Sequence, residues 1–306
     1  MRILIKNKRI VITGINGFLG KHIANRLKLE NEIIGINQKN KKINSQSSDY
    51  TVIEGDIADK NTLSRINTDI DYIFHFGSPT SIVLFKKDPV GYFNNTINGM
   101  ENILEYAKKN SIKKLIYPSS ASVYANNSPP HIENIIPKPA NKYGEAKIES
   151  ENLAKKYEES VNSLGLRIFA AYGPGEETKQ NLSSVINLFL DDVLKNKTPI
   201  IFGDGNQTRD FIYIEDVIDA ILNATDLSDH GIINVGSGVS TSFNEIIEKI
   251  SSQTGKKITP EYIKKESAYI ENLKADTKLM KSLLKINPIS IDDGIKKFLK
   301  YLEIIK

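Results

Sequence analysis

Apolar and polar positions follow two rhythms along the first 170 residues. Short apolar runs, such as Ile10-Val11-Ile12 within "RIVIT" (9–13), have no polar face and predict strands covered on both sides. Further runs of this kind fall at 32–37, 50–56, 71–77, 114–120 and 165–173. Between them lie stretches with apolar residues three and four positions apart: "FLGKHIANRLKLE" (18–30), 89–110 and 142–160. These predict amphipathic helices. Strand and helix in alternation predict an α/β fold, a doubly wound parallel sheet with helices on both faces. Past Gly173 the rhythm changes. The loop "GPGEETKQN" precedes a helix at 181–195, a strand at 199–202, the turn "GDGNQTRD", a helix at 214–225 and a strand at 231–238. The remainder reads as mostly helical and lysine-rich. The predicted division is a larger domain at 1–170, rejoined by 211–238, and a smaller, mostly helical C-terminal domain at 171–306.

Composition narrows the function classes. A chain of 306 residues suits two domains better than one small core. Its net charge of +4 is mild, and its six arginines are scattered, so no nucleic-acid partner is expected. There is no cysteine, which excludes disulfides, thiolate catalysis and cysteine-bound zinc. His22, His75, His131 and His230 lie far apart, with no metal-binding spacing, so no metal is expected. Lys6, Asn7, Lys8 and Arg9 interrupt the first apolar run, which argues against a signal peptide. No run reaches the roughly 18 apolar residues of a membrane span. The expected location is cytoplasmic, without a membrane partner.

Candidate chemistry begins at Gly14, Gly17 and Gly20, in "TGINGFLG" between the first strand and the first helix. Glycine lets the backbone turn tightly there and approach a pyrophosphate, while the helix N-terminus offers free N–H groups and positive dipole to it. Asn16, Phe18 and Leu19 share this loop and count with the glycines as cofactor-binding. The second centre joins "SSASVYANN" (119–127) to "NKYGEAK" (141–147). Tyr143 and Lys147 are four residues apart, hence on one helix face. A lysine and a nicotinamide's positive charge would lower the phenol's pKa enough for it to act as a base toward a secondary alcohol. A serine from a strand end would hold the substrate oxygen.

The G-x-x-G-x-x-G spacing, the serine cluster and Tyr-x-x-x-Lys together resemble the extended branch of the short-chain dehydrogenase/reductase superfamily. That resemblance implies NAD, with NADP left open, and a nucleotide-diphosphate sugar as substrate. By it, Asn37 stands where an acid usually grips the adenosine ribose, with Lys39, Lys41 and Lys42 close by. Asp56 and Ile57 match the adenine side; Phe76, Gly77 and Ser78 match the nicotinamide side. Catalytic roles fall to Ser120, Tyr143 and Lys147, the latter two also touching the cofactor, with Ser119 and Ser122 as secondary serines. Thr80, Ser120, Ser122, Tyr143, Asn181, Leu182 and Arg209 become substrate-binding, Arg209 at the pyrophosphate. "NNTINGMENIL" (94–104) and "GDGNQTRDFIYIEDV" (203–217) look like UDP-galactose 4-epimerase relatives. Ala121 and Ser122 replace the acids of 4,6-dehydratases, which disfavours elimination. Ala170 replaces a usual asparagine, and 266–269 lacks a usual nucleotide-clamping arginine. The expected activity is C4 epimerisation. The alternatives are a 4-dehydrogenase that releases the ketone, a 4,6-dehydratase, or a cofactor-binding protein without turnover. Helices 89–110 and 142–160 are where such proteins pair, so a homodimer is expected.

Overall fold

The computed structural model describes residues 5–38, 49–176, 179, 182–228, 231–265 and 270–305. The elements open with β1 (Arg9–Thr13), α1 (Phe18–Leu27), β2 (Glu32–Asn37), β3 (Thr51–Glu54), α2 (Lys60–Leu63), β4 (Tyr72–His75) and α3 (Ile82–Lys87). Next come α4 (Pro89–Lys109), β5 (Lys114–Ser120), α5 (Lys142–Lys156), β6 (Ser163–Ile168) and β7 (Ala170–Tyr172). They are followed by α6 (Val185–Leu194), β8 (Ile200–Phe202), β9 (Thr208–Tyr213), α7 (Ile214–Asn223) and β10 (Gly231–Val235). The last are β11 (Ser240–Ser242), α8 (Phe243–Thr254), β12 (Glu261–Ile263) and α9 (Ile291–Tyr301).

Seven strands form one sheet in the order β10-β6-β5-β4-β1-β2-β3. Ile10, Val11 and Ile12 of β1 are wholly buried, as a central strand with both faces covered must be. The β1–β2, β1–β4, β2–β3 and β4–β5 pairs are parallel. The sheet is the doubly wound one the rhythm predicts. Winding reverses between β1 and β4, so the carboxyl ends of those strands border the crevice where such sheets bind ligands. Register brings Thr13 opposite His75. The turn after β1 and the turn after β4 therefore start side by side.

The chain divides into two compact units. The first comprises Met1–Ser120, Asn141–Arg167 and Ile218–Ile233; the second comprises Ala121–Ala140, Ile168–Val217 and Asn234–Lys306. The second unit carries a three-stranded sheet, β11-β9-β7, and a two-stranded one, β12-β8. A mostly helical region is what the sequence predicts here. β8 falls in the strand predicted at 199–202, but β11 and β12, of three residues each, alternate too briefly to show as a period of two. Asp210 at the heart of β9 is fully buried and holds this unit together. Its carboxylate accepts hydrogen bonds from Ser237 N (2.6 Å), Ser237 Oγ (2.7 Å), Gly238 N (2.9 Å) and Ala275 N (2.9 Å).

The second unit also buries His131 completely. Its ring stacks on Tyr124, with centroids 4.8 Å apart and planes 4° from parallel. The Tyr124 hydroxyl donates to Asn234 Oδ1 at 2.9 Å, and Asn234 Nδ2 donates to the His131 carbonyl at 2.9 Å. Neither ring nitrogen of His131 reaches a partner in good hydrogen-bond geometry among the described residues, although the Asn272 backbone lies close enough to favour the charged ring and partly opposes burial. Burial holds the imidazole below its ordinary value. A histidine kept neutral in the fold takes up a proton only on unfolding. Stability is therefore complete above the unfolded pKa of about 6.5 and declines as pH falls below it, by at most ~1.4 kcal/mol per pH unit for each such group. His75, lowered to about 3 by burial and then by Lys147, adds to the same decline down to that pH. Thermal midpoints should drop between pH 7.5 and 5.5, and His131→Phe, which keeps the stack, should flatten the drop. An unchanged slope in that variant would show that His131 is not a source of acid sensitivity.

Candidate active site

The glycine loop is built by close approach of backbone to backbone. Gly14 has φ +67° and donates from its N–H to Ile36 O at 2.7 Å. A Cβ on Gly14 would stand 2.6 Å from Phe76 O, and one on Gly77 would stand 2.7 Å from Gly14 N. A Cβ on Gly20 would collide with the Gly14 carbonyl. Gly17 differs: it is the N-cap of α1, with no side-chain cap, and its Cβ would meet only the Gly14 carbonyl at 3.0 Å. Gly14, Gly20 and Gly77 thus let two turns press together, and Gly17 leaves the start of α1 open to an anion. These residues fit the pyrophosphate of a dinucleotide. Asn16, Phe18 and Leu19 sit at that same helix start.

Farther along the sheet edge, Asn37 ends β2, with its Nδ2 donating to Gln38 O at 3.0 Å. It stands in register with Glu54 of β3. Asp56 is already well bonded: its carboxylate accepts from Asn95 Nδ2 at 2.9 and 3.1 Å, Gln38 Nε2 at 2.8 Å and Ala58 N at 2.9 Å. Ile57 is buried in the core, and its carbonyl accepts from Asn102 Nδ2 at 3.0 Å. Asp56 and Ile57 thus fasten the strand end to α4. Lys39, Lys41 and Lys42 lie outside the described residues.

The reactive group of residues assembles in the first unit. Asn141 caps α5 by accepting from Gly144 N at 3.0 Å, which sets the helix start just before Tyr143. Ser120, at the end of β5, hydrogen-bonds the Tyr143 side chain. Lys147, one turn on, is 2% exposed, and its Nζ donates to Ser78 Oγ at 2.9 Å. That ammonium lies 5.7 Å from the centroid of the Tyr143 ring. Phe85 of α3 packs edge-on to the same ring at 5.4 Å. Ser120, Tyr143, Lys147 and Ser78 are thus together, as the motifs predict. Thr80 is exposed in the turn before α3.

The sequence expectation is that Lys147 and a nicotinamide's positive charge together draw the phenol down, and the protein's own groups do not do so by themselves. Burial pushes the Tyr143 hydroxyl up, and the Ser120 hydrogen bond works against that rise. Lys147 is not among the causes that move the phenol, although its ammonium lies 5.7 Å from the ring centroid. Its own pKa is lowered to about 8 by burial, with Glu151 opposing. His75 stays neutral, as its low pKa requires. Thr13 Oγ1 accepts from Gly77 N at 2.8 Å and lies 2.9 Å from His75 Nδ1, where its hydroxyl can donate to Nδ1 or accept from it according to the tautomer.

Other predicted site residues lie in the second unit. Ser122 is buried in the short 3-10 turn Ala121–Tyr124. Arg209 donates to Thr208 O at 2.8 Å and Glu271 O at 3.3 Å, with its guanidinium 5.6 Å from the Phe243 ring centroid. Leu182 precedes α6; Asn181 and the 266–269 segment lie outside the described residues.

Residues 10–236 match the model of the NAD dependent epimerase/dehydratase family. The chain belongs to this family. The match spans the glycine loop, the serine cluster, Tyr143, Lys147 and Arg209, so the motifs and the family agree on NAD. A Methanocaldococcus jannaschii protein that carries a provisional UDP-glucose 4-epimerase name is 33% identical over 302 residues, covering 96% of this chain and 98% of that one. The Thermodesulfobacterium geofontis UDP-glucuronate 4-epimerase is 28% identical over 319 residues, covering 97% and 98%. Among solved structures, a UDP-N-acetylglucosamine 4-epimerase from Methanobrevibacter ruminantium, in complex with UDP-N-acetylmuramic acid, superposes with TM-score 0.90. It is 29% identical, with 98% of this chain and 99% of that one covered. No helix among the described residues is long and apolar enough to cross a membrane.

Within the family frame, three residues near the reactive group carry no sequence motif of their own: Thr13, His75 and Glu151. Thr13 and His75 come together only through the β1–β4 register, which no local pattern announces. Glu151 did have a signal, because it follows Lys147 by one helical turn.

Proposed function

We propose that the protein is a nucleotide-sugar 4-epimerase, acting on a hexose linked to a nucleoside diphosphate. The observation that carries this reading is the Ser120–Tyr143–Lys147 group, built at the crevice beside the glycine loop. Bound NAD supplies a hydride acceptor and a fixed positive charge. Ser120 holds the C4 oxygen, and Tyr143 takes its proton as hydride leaves C4. Lys147, buried and cationic, stabilises the resulting phenolate across the ring and through the enclosed, low-dielectric surroundings. Because burial alone raises the Tyr143 pKa, the phenol becomes a base only when cofactor charge and Lys147 act together. Return of the hydride to the opposite face of a 4-keto sugar that turns over in the site would give the C4 epimer. Arg209, with Asn181 and Leu182, is assigned to the diphosphate and nucleotide, an arginine fork suiting phosphate oxygens. The first unit is read as the dinucleotide-binding part and the second as the sugar-nucleotide part.

A 4-dehydrogenase is the second reading. Ala170 at the start of β7 offers no amide to the substrate phosphates, which favours release of the ketone. Ala121 and Ser122 still disfavour dehydration.

The reaction is tested with nucleotide-sugar substrates in D₂O. The C4 epimer should form with no deuterium at C4, because hydride moves from carbon to cofactor and back without meeting solvent. Tyr143→Phe should keep the fold and bound cofactor and lose about 10²–10⁴ in rate. A ketone product with growing absorbance of reduced cofactor would overturn the epimerase in favour of the dehydrogenase.

NAD is favoured over NADP, although Asn37 lacks the negative charge that repels a 2′-phosphate. Asn37→Asp should weaken NADP binding and leave NAD binding equal or better. An equal response of both cofactors, measured by calorimetry, would place residue 37 away from the ribose.

The assembly we propose is a homodimer pairing through α4 and α5. Sedimentation should give twice the chain mass of 34.2 kDa, and a monomer at working concentration would rule the pairing out.

A further inference from the structure

Glu151 lies one turn beyond Lys147 on α5, inside the first unit, and belongs to no motif. Its carboxylate is the meeting point of three elements. Arg167 of β6 grips it with two bonds, Nε to Oε1 at 2.8 Å and Nη2 to Oε2 at 2.6 Å. Ser119 of β5 donates to Oε1 at 2.5 Å. Both ionic side chains are nearly closed to water, at 5% and 9% exposure. Tyr117 of β5 borders the same pair, and its phenol is held high by burial and then by Glu151. Ser119 and Ser120 are successive on a strand, so they point to opposite faces. The bond that ties Ser119 to Glu151 therefore fixes the strand end from which Ser120 reaches Tyr143.

Lys147 is a buried ammonium with no carboxylate within 4.0 Å of its Nζ among the described residues. The groups around it come from several elements. Ser78 follows β4, neutral His75 lies on β4, Tyr143 and Glu151 share α5, and Arg167 of β6 stands behind Glu151. No ion pair joins α3 or α4 to Lys147 or Glu151 among the described residues. Phe85 of α3 contributes a ring, with Tyr92 of α4 behind it at 5.9 Å.

We propose that Glu151 is a positioning residue for this site: it cancels the buried charge of Arg167 so that Lys147 keeps its own, and it anchors the strand end that carries Ser120. The proposal rests on the epimerase reading for its catalytic consequence but not for its electrostatics. Without the carboxylate, Arg167 would lose its two-bond counter-ion in a low-dielectric interior, and its less balanced charge would disfavour a second cation nearby. Lys147 would release its proton at lower pH, and the Tyr143 phenolate would lose its partner.

The sign of the effect gives the test. NAD-loaded protein carrying ¹³C at lysine Cε is titrated by NMR, with the Lys147 signal assigned by its loss in Lys147→Arg. Glu151→Gln should move the Lys147 titration down by about one pH unit. The basic limb of kcat should follow it, and KM should hold steady. Arg167→Met leaves the carboxylate alone and should move the titration up. The double variant removes both charges and should return it close to the parent value. If Glu151→Gln does not fold, Arg167→Met against the double variant decides: a raised titration in the first and a parental one in the second supports the proposal. Shifts of one sign in all variants, or no shift, overturn it and leave Glu151 a packing residue. If these shifts occur but the parent protein epimerises no nucleotide sugar, the reaction reading fails and the role of Glu151 stands. If epimerisation occurs with Lys147 unmoved, the reverse holds.

Discussion

The structure around the site depends on keeping one positive charge, that of Lys147, buried. An ammonium out of water is costly, and the usual remedy is a carboxylate in contact. A carboxylate at contact distance would cancel the field that the site needs at Tyr143. The fold settles on an intermediate solution. Ser78 supplies a hydroxyl acceptor at 2.9 Å, and Glu151, the carboxylate that opposes the loss of the Lys147 charge, is bonded to Arg167. Lys147 is thereby left charged but easily discharged, with a pKa lowered to about 8. Such a cation responds to what binds beside it more than a fully paired one would.

The same constraint explains how much scaffolding surrounds two side chains. Tyr143 and Lys147 must share a face of α5, so the helix must begin at a set residue, and the Asn141 cap provides that. The strand bearing Ser120 must end beside that face, and Ser119 bonded to Glu151 fixes it there. The turn after β4 must bring Ser78 to Lys147 while passing close to the glycine loop. Gly77 makes this possible, because a Cβ there would stand 2.7 Å from Gly14 N. The cofactor loop and the proton-handling residues are therefore not separate modules, since both are built on the carboxyl ends of β1, β4 and β5.

Much of this was legible in the sequence. Continuous apolar runs mark β1, β2, β4 and β5 because strands covered on both faces need no polar side. The glycine loop was legible because its residues are contiguous, and Tyr143 with Lys147 because helical spacing is local. The short strands β11 and β12 of the second unit were not, for lack of length. The role of Thr13 and His75 was hidden because it arises from register between β1 and β4, strands 62 residues apart at the pair that matters. The contacts of Asp56 and Ile57 with Asn95, Gln38 and Asn102 were hidden too, because they are tertiary. The upward push of burial on Tyr143 was hidden for a deeper reason. Spacing shows which groups are neighbours, and burial decides whose charge survives.

His75 shows the same logic at one remove. It lies fully buried near Lys147, and a protonated imidazole there would compete with the ammonium for the little stabilisation available. Burial removes that competition, and the Lys147 charge acts the same way. Together they lower the imidazole's pKa to about 3, so His75 stays neutral far below the pH at which a free imidazole charges. Thr13 Oγ1, which accepts from Gly77 N, lies 2.9 Å from Nδ1 and gives the neutral ring a hydrogen-bond partner in either tautomer. The cost is the acid sensitivity that buried neutral histidines bring to the fold. The gain is that the charge state beside Tyr143 is set by Lys147 and its distant counter-ions.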